Sequence, residues 1–423
     1  MKKPKLNSEF FKSSSWSFTA VAFRALGGLT INKLFSVYLG SAGLTLLSHF
    51  QNLTSLFTLL PSEGVNRSLM KYWADPKTSE EDRKKLFRTG LWVSTSIFII
   101  VLSLLYFWQK EFFFDRFIQE YTPFEFLRIF IPAMFIMILS GYLNSIILSL
   151  RRVRAYALIN ISGLLLLVGV VYLGITKGTL DQALLSFIIG YALMFFCALF
   201  YLIFNRSWIK LSVGAPDIAS VKKIGKFLAM AISAIVFGRL LDFVVRDYVI
   251  EIYGLEKTGI WQSVVKMSTS YMIILTGTVG VVYYPKMASL IHDKIQLRAY
   301  VLKVMGFVAF VSILALGVYY LNKEFFLTLF FSAEFKQAGY LVKYQVFGDF
   351  FAILSYLLAY LLSARVETMR YIAAQVVSAV IYVSLISILI QPMDLEALTM
   401  AYMWRYIGFF LILILFNRKF LFR

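Results

Sequence analysis

The chain is poor in cysteine, histidine, acidic residues and long polar stretches, and each scarcity excludes a class of function. Its one cysteine, Cys197, cannot form an intrachain disulfide. The two histidines, His49 and His292, lie far apart, and no group of His, Cys and carboxylate has metal-ligand spacing, so no metal or other cofactor is expected. A phosphate-binding glycine loop of the Walker type is missing, which excludes ATP hydrolysis by that route. Charged residues make up 15% of the chain, against about 25% in a soluble domain, so a globular cytosolic protein is excluded as well. Residues 1–18 carry lysines but no clean apolar core or small-residue cleavage site, and read as a retained cytoplasmic tail.

What the chain has instead is apolar length. Hydrophobic residues make up 60% of it, and mean hydropathy is +0.75. A helical span needs about 20 mostly apolar residues. Twelve stretches qualify: 16–39, 44–70, 90–108, 124–150, 156–175, 181–204, 224–250, 258–284, 299–321, 341–364, 370–390 and 396–416. The expected fold class is therefore an all-α integral membrane protein with twelve transmembrane helices. The polar stretch Asn205–Gly225 divides them six and six, which predicts one six-helix lobe over 1–210 and a second over 211–423.

The scarce acids leave a net charge of +19. In a soluble protein that surplus would suggest nucleic acid; here most basic residues fall in short loops between spans. Orientation and anionic membrane lipid account for them, and no nucleic-acid partner is expected. With the N-terminus inside, the cytoplasmic segments hold 26 Lys and Arg. The opposite loops hold only Lys110, Arg116, Lys177, Lys257, Lys323 and Lys336. Both termini are predicted to be cytoplasmic.

Ten cations nevertheless lie inside the spans: Arg24, Lys33, Arg67, Arg128, Arg239, Arg246, Lys266, Lys303, Lys343 and Arg405. Each costs roughly 2.5–3.5 kcal/mol at mid-bilayer, so such residues face a watery cavity or a partner. Only Glu63, Asp242, Asp247 and Asp349 lie at similar depth. The surplus points to an anionic substrate. Snorkelling accounts for Lys33, Arg67, Arg128, Lys303 and Lys343 near span ends, but not for Arg239 or Arg405 near span centres. Arg24, Arg239, Lys266 and Arg405 are thus the first substrate-binding candidates, followed by Lys33 and Arg128.

Two acids are candidates for coupling. Asp242 sits between Arg239 and Arg246 at spacings of three and four, on one helical face. That stripe either lines a transport cavity or forms an internal ion-pair ladder. Asp349, isolated in the tenth span, is either a group that exchanges a proton or cation during transport or the partner of a cation on a neighbouring helix. Pro61-Ser62-Glu63-Gly64 suggests either a kink or an early helix end in the second span. A faint repeat is also visible. Tyr38-Leu39-Gly40 through Gly43 in the first half is echoed by Tyr253-Gly254 through Gly259 in the second, with Arg24 and Arg239 at matching places. Six spans is an even number, so the halves share one orientation and are related about the membrane normal.

Four stretches carry a family resemblance. They are Gly40-Ser41-Ala42-Gly43-Leu44, Thr258-Gly259-Ile260-Trp261-Gln262-Ser263-Val264, Tyr344-Gln345-Val346-Phe347-Gly348-Asp349-Phe350 and Ala401-Tyr402-Met403-Trp404-Arg405-Tyr406. Together the chain resembles the Wzx family, the polysaccharide-unit flippases of the multidrug/oligosaccharidyl-lipid/polysaccharide (MOP) exporter superfamily. It is most similar to the subgroup acting on lipid III, the enterobacterial common antigen unit. The resemblance implies a MATE-like fold, with two six-helix lobes around a central cavity, in the bacterial inner membrane. It implies an undecaprenyl-pyrophosphate-linked oligosaccharide, of the lipid III or O-antigen kind, moved from the cytoplasmic to the periplasmic leaflet. A polysaccharide polymerase and a chain-length regulator are implied as pathway partners. Trp261 and Gln262 become candidates for contact with sugar. The alternative within the superfamily is a Na⁺- or H⁺-coupled multidrug exporter, which should favour a net acidic cavity. A membrane glycan polymerase or ligase would carry a large outer loop, whereas the longest here, Asn322–Tyr340, is short and rich in Phe and Leu.

Overall fold

A computed structural model describes residues 6–74, 78–109, 121–150, 152–205, 214–290, 293–365 and 367–421. Arg116, Arg151, Arg206, Lys210, His292 and the expected lobe boundary at 210/211 lie outside the described residues. The described residues form helices α1 (Leu6–Ala74), α2 (Glu80–Gln109), α3 (Pro123–Ser149), α4 (Val153–Lys177), α5 (Leu180–Phe204) and α6 (Ile218–Ile235). A π turn, Val236–Leu240, leads into α7 (Leu241–Ser289). Then follow α8 (Lys294–Leu321), a short α9 (Lys323–Phe330), a 3₁₀ segment (Ala333–Leu341), α10 (Val342–Ala364), α11 (Thr368–Met393) and α12 (Glu396–Leu421). Nine helical stretches among the described residues are long and apolar enough to cross a membrane, one of them running from Ile218 to Thr276. This is a multi-pass membrane protein.

Local chemistry sets where several helices begin. Thr122 and Glu125 form a reciprocal capping box, with Pro123 in the first turn of α3. Asp217 and Asp293 accept from the backbone N–H groups of Ser220 and Gln296, at 2.8 and 3.0 Å, and so start α6 and α8. The Ser220 hydroxyl and N–H hold the Asp217 carboxyl below the usual carboxylate range. That cap is therefore complete above the ordinary aspartate pKa and is lost as pH falls through the lowered value.

The two longest helices are broken at glycine. Gly40 has φ 64°, ψ −161° and Gly254 has φ 74°, ψ 177°, a region open almost only to glycine. Each break lets one continuous helix serve as two spans. The faint sequence echo is thus a structural one, since the second break follows the first by roughly 215 positions, the period of an internal repeat. The two redirected chains also meet. Thr45 Oγ1 donates to the Leu255 carbonyl at 2.7 Å, and a Cβ on Gly259 would lie 2.1 Å from the Ser41 carbonyl oxygen.

Pro61 does not end the second span. The helix runs through it to Ala74, and Glu63 pairs with Arg67 at 2.8 Å one turn on. Asn322–Tyr340, read from sequence as a loop, is mostly helical as α9 and the 3₁₀ segment.

The chain packs as two compact units. One comprises Met1–Thr45 with Val245–Arg423, the other Leu46–Val244. These units do not coincide with 1–210 and 211–423, because the first arm of α1 packs with the C-terminal helices and α6 with the N-terminal ones. In the Leu46–Val244 unit, Ser94 of α2 donates to the Pro61 carbonyl, Tyr142 of α3 donates to the Gly90 carbonyl, and their hydroxyls lie 2.7 Å apart. Two hydroxyl hydrogens therefore serve three contacts and tie three helices. Tyr142→Phe is expected to destabilise this unit by about 1 kcal/mol, the scale of a single hydrogen bond between membrane helices. Thermal denaturation in detergent measures it.

Candidate functional site

The first of these units contains a buried polar centre built by three helices. On α10, Gln345 and Asp349 are four residues apart and share a face. Ser268 and Tyr271, three apart, likewise share a face of the second arm of α7, and Tyr402 is contributed by α12. A Cβ at Gly348 would come within 2.5 Å of the Tyr402 ring and 3.0 Å of the Met403 Cα, so glycine there lets α12 approach α10 closely enough for Tyr402 to reach Asp349.

Asp349 is fully buried. Its Oδ1 accepts from Ser268 Oγ at 2.7 Å, from Tyr402 OH at 2.8 Å and from Gln345 Nε2 at 3.3 Å, while Oδ2 accepts from the Tyr271 hydroxyl. Gln345 Nε2 also donates to Ser268 Oγ at 3.1 Å. The Tyr271 ring lies 5.4 Å from that of Tyr319. Every one of these partners is neutral, so the salt bridge that sequence left open for Asp349 is not formed among the described residues. A carboxylate so placed is stabilised by the dipoles of these donors, and a proton arriving there would meet the carboxylate and the hydroxyl oxygens.

One turn beyond Tyr402, Arg405 is buried as well. Its Nε donates to Ser378 Oγ of α11 at 3.2 Å. Its guanidinium carbon lies 4.9 Å from the centre of the Tyr382 ring and 5.5 Å from that of Tyr406, which sits 4.7 Å from the Tyr402 ring. Aromatic rings thus help hold the guanidinium in place.

The other candidates are placed as follows. Trp261 and Gln262 are buried on the same arm of α7 as Ser268, and neither end of the Gln262 amide has a hydrogen-bond partner among the described residues. Lys266 is half-buried on that arm. Arg24 is exposed on the first arm of α1, where Lys33 is half-buried and donates to the Thr328 carbonyl at 3.2 Å. In the Leu46–Val244 unit, Arg128 is exposed one turn from Glu125, close to the start of α3.

The charged stripe of the seventh span is altered by the π turn. Arg239 lies within Val236–Leu240, where the wider turn shifts its phase against Asp242 and Arg246. Arg239 is exposed, Asp242 half-buried and Arg246 buried. The three do not form one uniformly exposed face.

Sequence reasoning missed Ser268, Tyr271, Gln345, Ser378, Tyr382, Tyr402 and Tyr406. The signal was there in part, since Gln345/Asp349 and Tyr402/Tyr406 are polar pairs at helical spacing within apolar spans. Which helix would face which was not readable.

No family model matches the chain. The lipid III flippase of Escherichia coli (strain K12) is 26% identical over 407 residues, covering 94% of this chain and 96% of the relative. An inward-facing multidrug resistance MATE transporter of the MOP superfamily superimposes with a TM-score of 0.76 at 12% identity, over 95% of each chain. The chain has the MOP-superfamily fold. The lipid II flippase MurJ in its inward closed conformation shares that fold at a TM-score of 0.71 and 14% identity, over 97% of this chain and 87% of MurJ. The buried centre around Asp349 and the Arg405 cradle therefore stand on a MATE-like transporter scaffold.

Proposed function

We propose that this protein is a flippase that moves a lipid-linked oligosaccharide, of the lipid III kind, from the cytoplasmic to the periplasmic leaflet of a bacterial inner membrane. The observation that carries this reading is the full-length relatedness to a lipid III flippase. The surplus of basic residues within the spans suits it, because an undecaprenyl-pyrophosphate headgroup is multiply anionic and guanidinium groups bind phosphate oxygens through paired hydrogen bonds. The polyprenyl chain stays in the bilayer while the polar head crosses by alternating exposure to the two leaflets. Nothing in this cycle requires a chemical step on the substrate, so the protein acts as a transporter and not as an enzyme.

Within this reading Arg405 is the leading headgroup contact, since it is a buried cation near the centre of its span and Tyr382 and Tyr406 orient its guanidinium. Arg24, Lys33, Arg128, Arg239 and Lys266 supply further positive charge along the path. Trp261 and the unpartnered amide of Gln262 are assigned to sugar hydroxyls, which both donate and accept hydrogen bonds. Asp349 is assigned to coupling, with Asp242 second. Both termini lie in the cytoplasm, and the polymerase and chain-length regulator act on the product.

The test is translocation of a fluorescent undecaprenyl-pyrophosphate oligosaccharide in proteoliposomes. Arg405→Ala should slow transport by about tenfold or more, and Arg405→Lys should recover part of it, since a charge-assisted bond contributes about 1.5–3 kcal/mol and lysine restores charge without the planar fork. Equal transport by wild type and a folded, correctly inserted Arg405→Ala protein would remove Arg405 from the path. No transport by wild type with several glycans would instead favour the ion-coupled exporter.

A further inference from the structure

The Leu46–Val244 unit carries three side-chain amides within its apolar helices, Asn66 of α1, Asn144 of α3 and Asn160 of α4. Contacts bring them together. A Cβ at Gly141 would lie 2.8 Å from Asn66 Nδ2, so glycine makes room for that amide against α3. Asn144 follows Gly141 by one helical turn and so shares its face. Asn144 Oδ1 in turn accepts from Asn160 Nδ2 at 3.4 Å. Helices α1 and α3 end, and α4 begins, within about two turns of these residues, which places all three amides near one end of the unit.

Joining helices does not use these groups up. Tyr142, next in sequence to Gly141, shows what a joining network looks like here. Its hydroxyl and that of Ser94 are buried, and each donates to a backbone carbonyl of another helix. Asn66 is different. Its side-chain carbonyl is buried without a hydrogen-bond partner among the described residues, although the residue as a whole is half-buried. Asn144 and Asn160 are half-buried too. Both hydrogen bonds of the Asn160 side chain among the described residues, to the Tyr156 carbonyl at 2.7 Å and to Asn144, are made by Nδ2. Two amide carbonyls, of Asn66 and Asn160, thus remain as acceptors. An unsatisfied amide is costly in hydrocarbon, so such a group belongs where a polar ligand reaches it.

The chemistry of these groups selects the ligand. Acceptors without formal charge suit hydroxyl and amide N–H donors, and offer nothing to a carboxylate, which only accepts. A cationic drug would call for an acid, and Glu63, one turn from Asn66 on the same helix, is held by Arg67 at 2.8 Å. We propose that Asn66, Asn144 and Asn160 form a seat for a neutral sugar ring bearing hydroxyl or acetamido donors. The assignment rests on the flippase reading for the presence of a glycan. It adds that part of the glycan is recognised by uncharged amides, apart from the basic residues that meet the pyrophosphate. Trp261 and Gln262 belong to the other compact unit, so the seat is a second sugar contact. With both termini in the cytoplasm, it lies at the cytoplasmic end of its helices, the side from which the substrate enters.

The experiment is native mass spectrometry of the full-length protein in detergent with two probes, farnesyl pyrophosphate and the same carrier bearing one N-acetylhexosamine. The ratio of their affinities isolates the sugar. Wild type should bind the sugar-bearing probe about tenfold more tightly, the scale of one or two buried hydrogen bonds. Asn66→Ala should bring the ratio close to one and leave affinity for the bare carrier unchanged. Gly141→Ala keeps all three amides, and its new Cβ meets only the end of a flexible side chain. It guards against misfolding, and by pushing the Asn66 amide aside it should lower the ratio several-fold. A ratio of one in wild type, or a ratio that survives in both variants, would overturn the proposal. So would an equal loss for both probes, the mark of a purely structural role. Failure of the flippase reading shows separately, as no transport in proteoliposomes by a protein that still discriminates the two probes.

Discussion

Asp349→Ala is expected to abolish transport and to lower thermal stability more than any other single side-chain truncation in the C-terminal helices. The reason is an imbalance of donors. Ser268, Tyr271, Tyr402 and Gln345 all direct hydrogens at one carboxylate that has no contact with solvent. Removing the acceptor leaves them buried without it, at about 1–3 kcal/mol for each group that finds no substitute. The groups share partners, so the penalties do not add fully. A total of about 3–5 kcal/mol, the usual scale for breaking a buried charged contact, is the expected loss. Asp349→Asn separates structure from coupling. Its amide oxygen still accepts, and its N–H₂ can donate to a hydroxyl oxygen, so most of the stability should survive while ion or proton exchange does not. Thermal denaturation of the purified variants, paired with proteoliposome flipping, distinguishes the two effects. Wild-type transport by a folded Asp349→Asn protein would show that the centre is structural.

Gly259→Ala should be the most damaging glycine substitution. An added Cβ would lie 2.1 Å from the carbonyl oxygen of Ser41 and 2.6 Å from its carbon. Both are backbone atoms, so no side-chain rotation relieves the clash, and the two helical arms must separate. Overpacking of this kind costs about 1–3 kcal/mol and occasionally more. Here separation also stretches the bond from Thr45 to the Leu255 carbonyl. Two neighbouring changes calibrate the result. At Gly254 a Cβ meets open space, but φ is 74°, so Gly254→Ala pays backbone strain of about 1–3 kcal/mol without a clash. Gly238→Ala has neither problem, since nothing lies within 4 Å of the new Cβ, and should be nearly neutral. The expected order of yield and melting temperature is Gly238→Ala above Gly254→Ala above Gly259→Ala. A different order would mean that the crossing of the two arms does not set their packing.

The internal repeat illustrates what a sequence can and cannot disclose. Gly40 and Gly254 were visible as an echo because a backbone with positive φ admits little else. That the chains leaving those glycines cross was not visible, since a contact between Gly259 and Ser41 is written in neither local pattern. Pro61 shows the opposite case. Of the kink and the early helix end that Pro61-Ser62-Glu63-Gly64 suggests, the early end is not formed: the helix runs on, and the Pro61 carbonyl receives Ser94 from α2. Arg239 and Arg246 were read as one stripe because a regular helix was assumed, whereas Arg239 lies in a π turn and differs from Arg246 in burial.

By itself the sequence determined the solvent of this protein, the number and order of its apolar segments, and its excess of intramembrane positive charge. Those follow from hydropathy, span length and the cost of burying ions, which are properties of residues taken one segment at a time. The expectation of an anionic substrate arose at that level. Only the tertiary structure decided which polar groups share a partner. Asp349 accepts hydrogen bonds from neutral donors, and the Arg405 guanidinium lies near the Tyr382 and Tyr406 rings. Sequence cannot supply that assignment, because the face a helix presents to its neighbour depends on the close approach of backbones, as at Gly348 against Tyr402 and Gly259 against Ser41. The pairing of buried charges is settled by that geometry and not by their spacing along the chain.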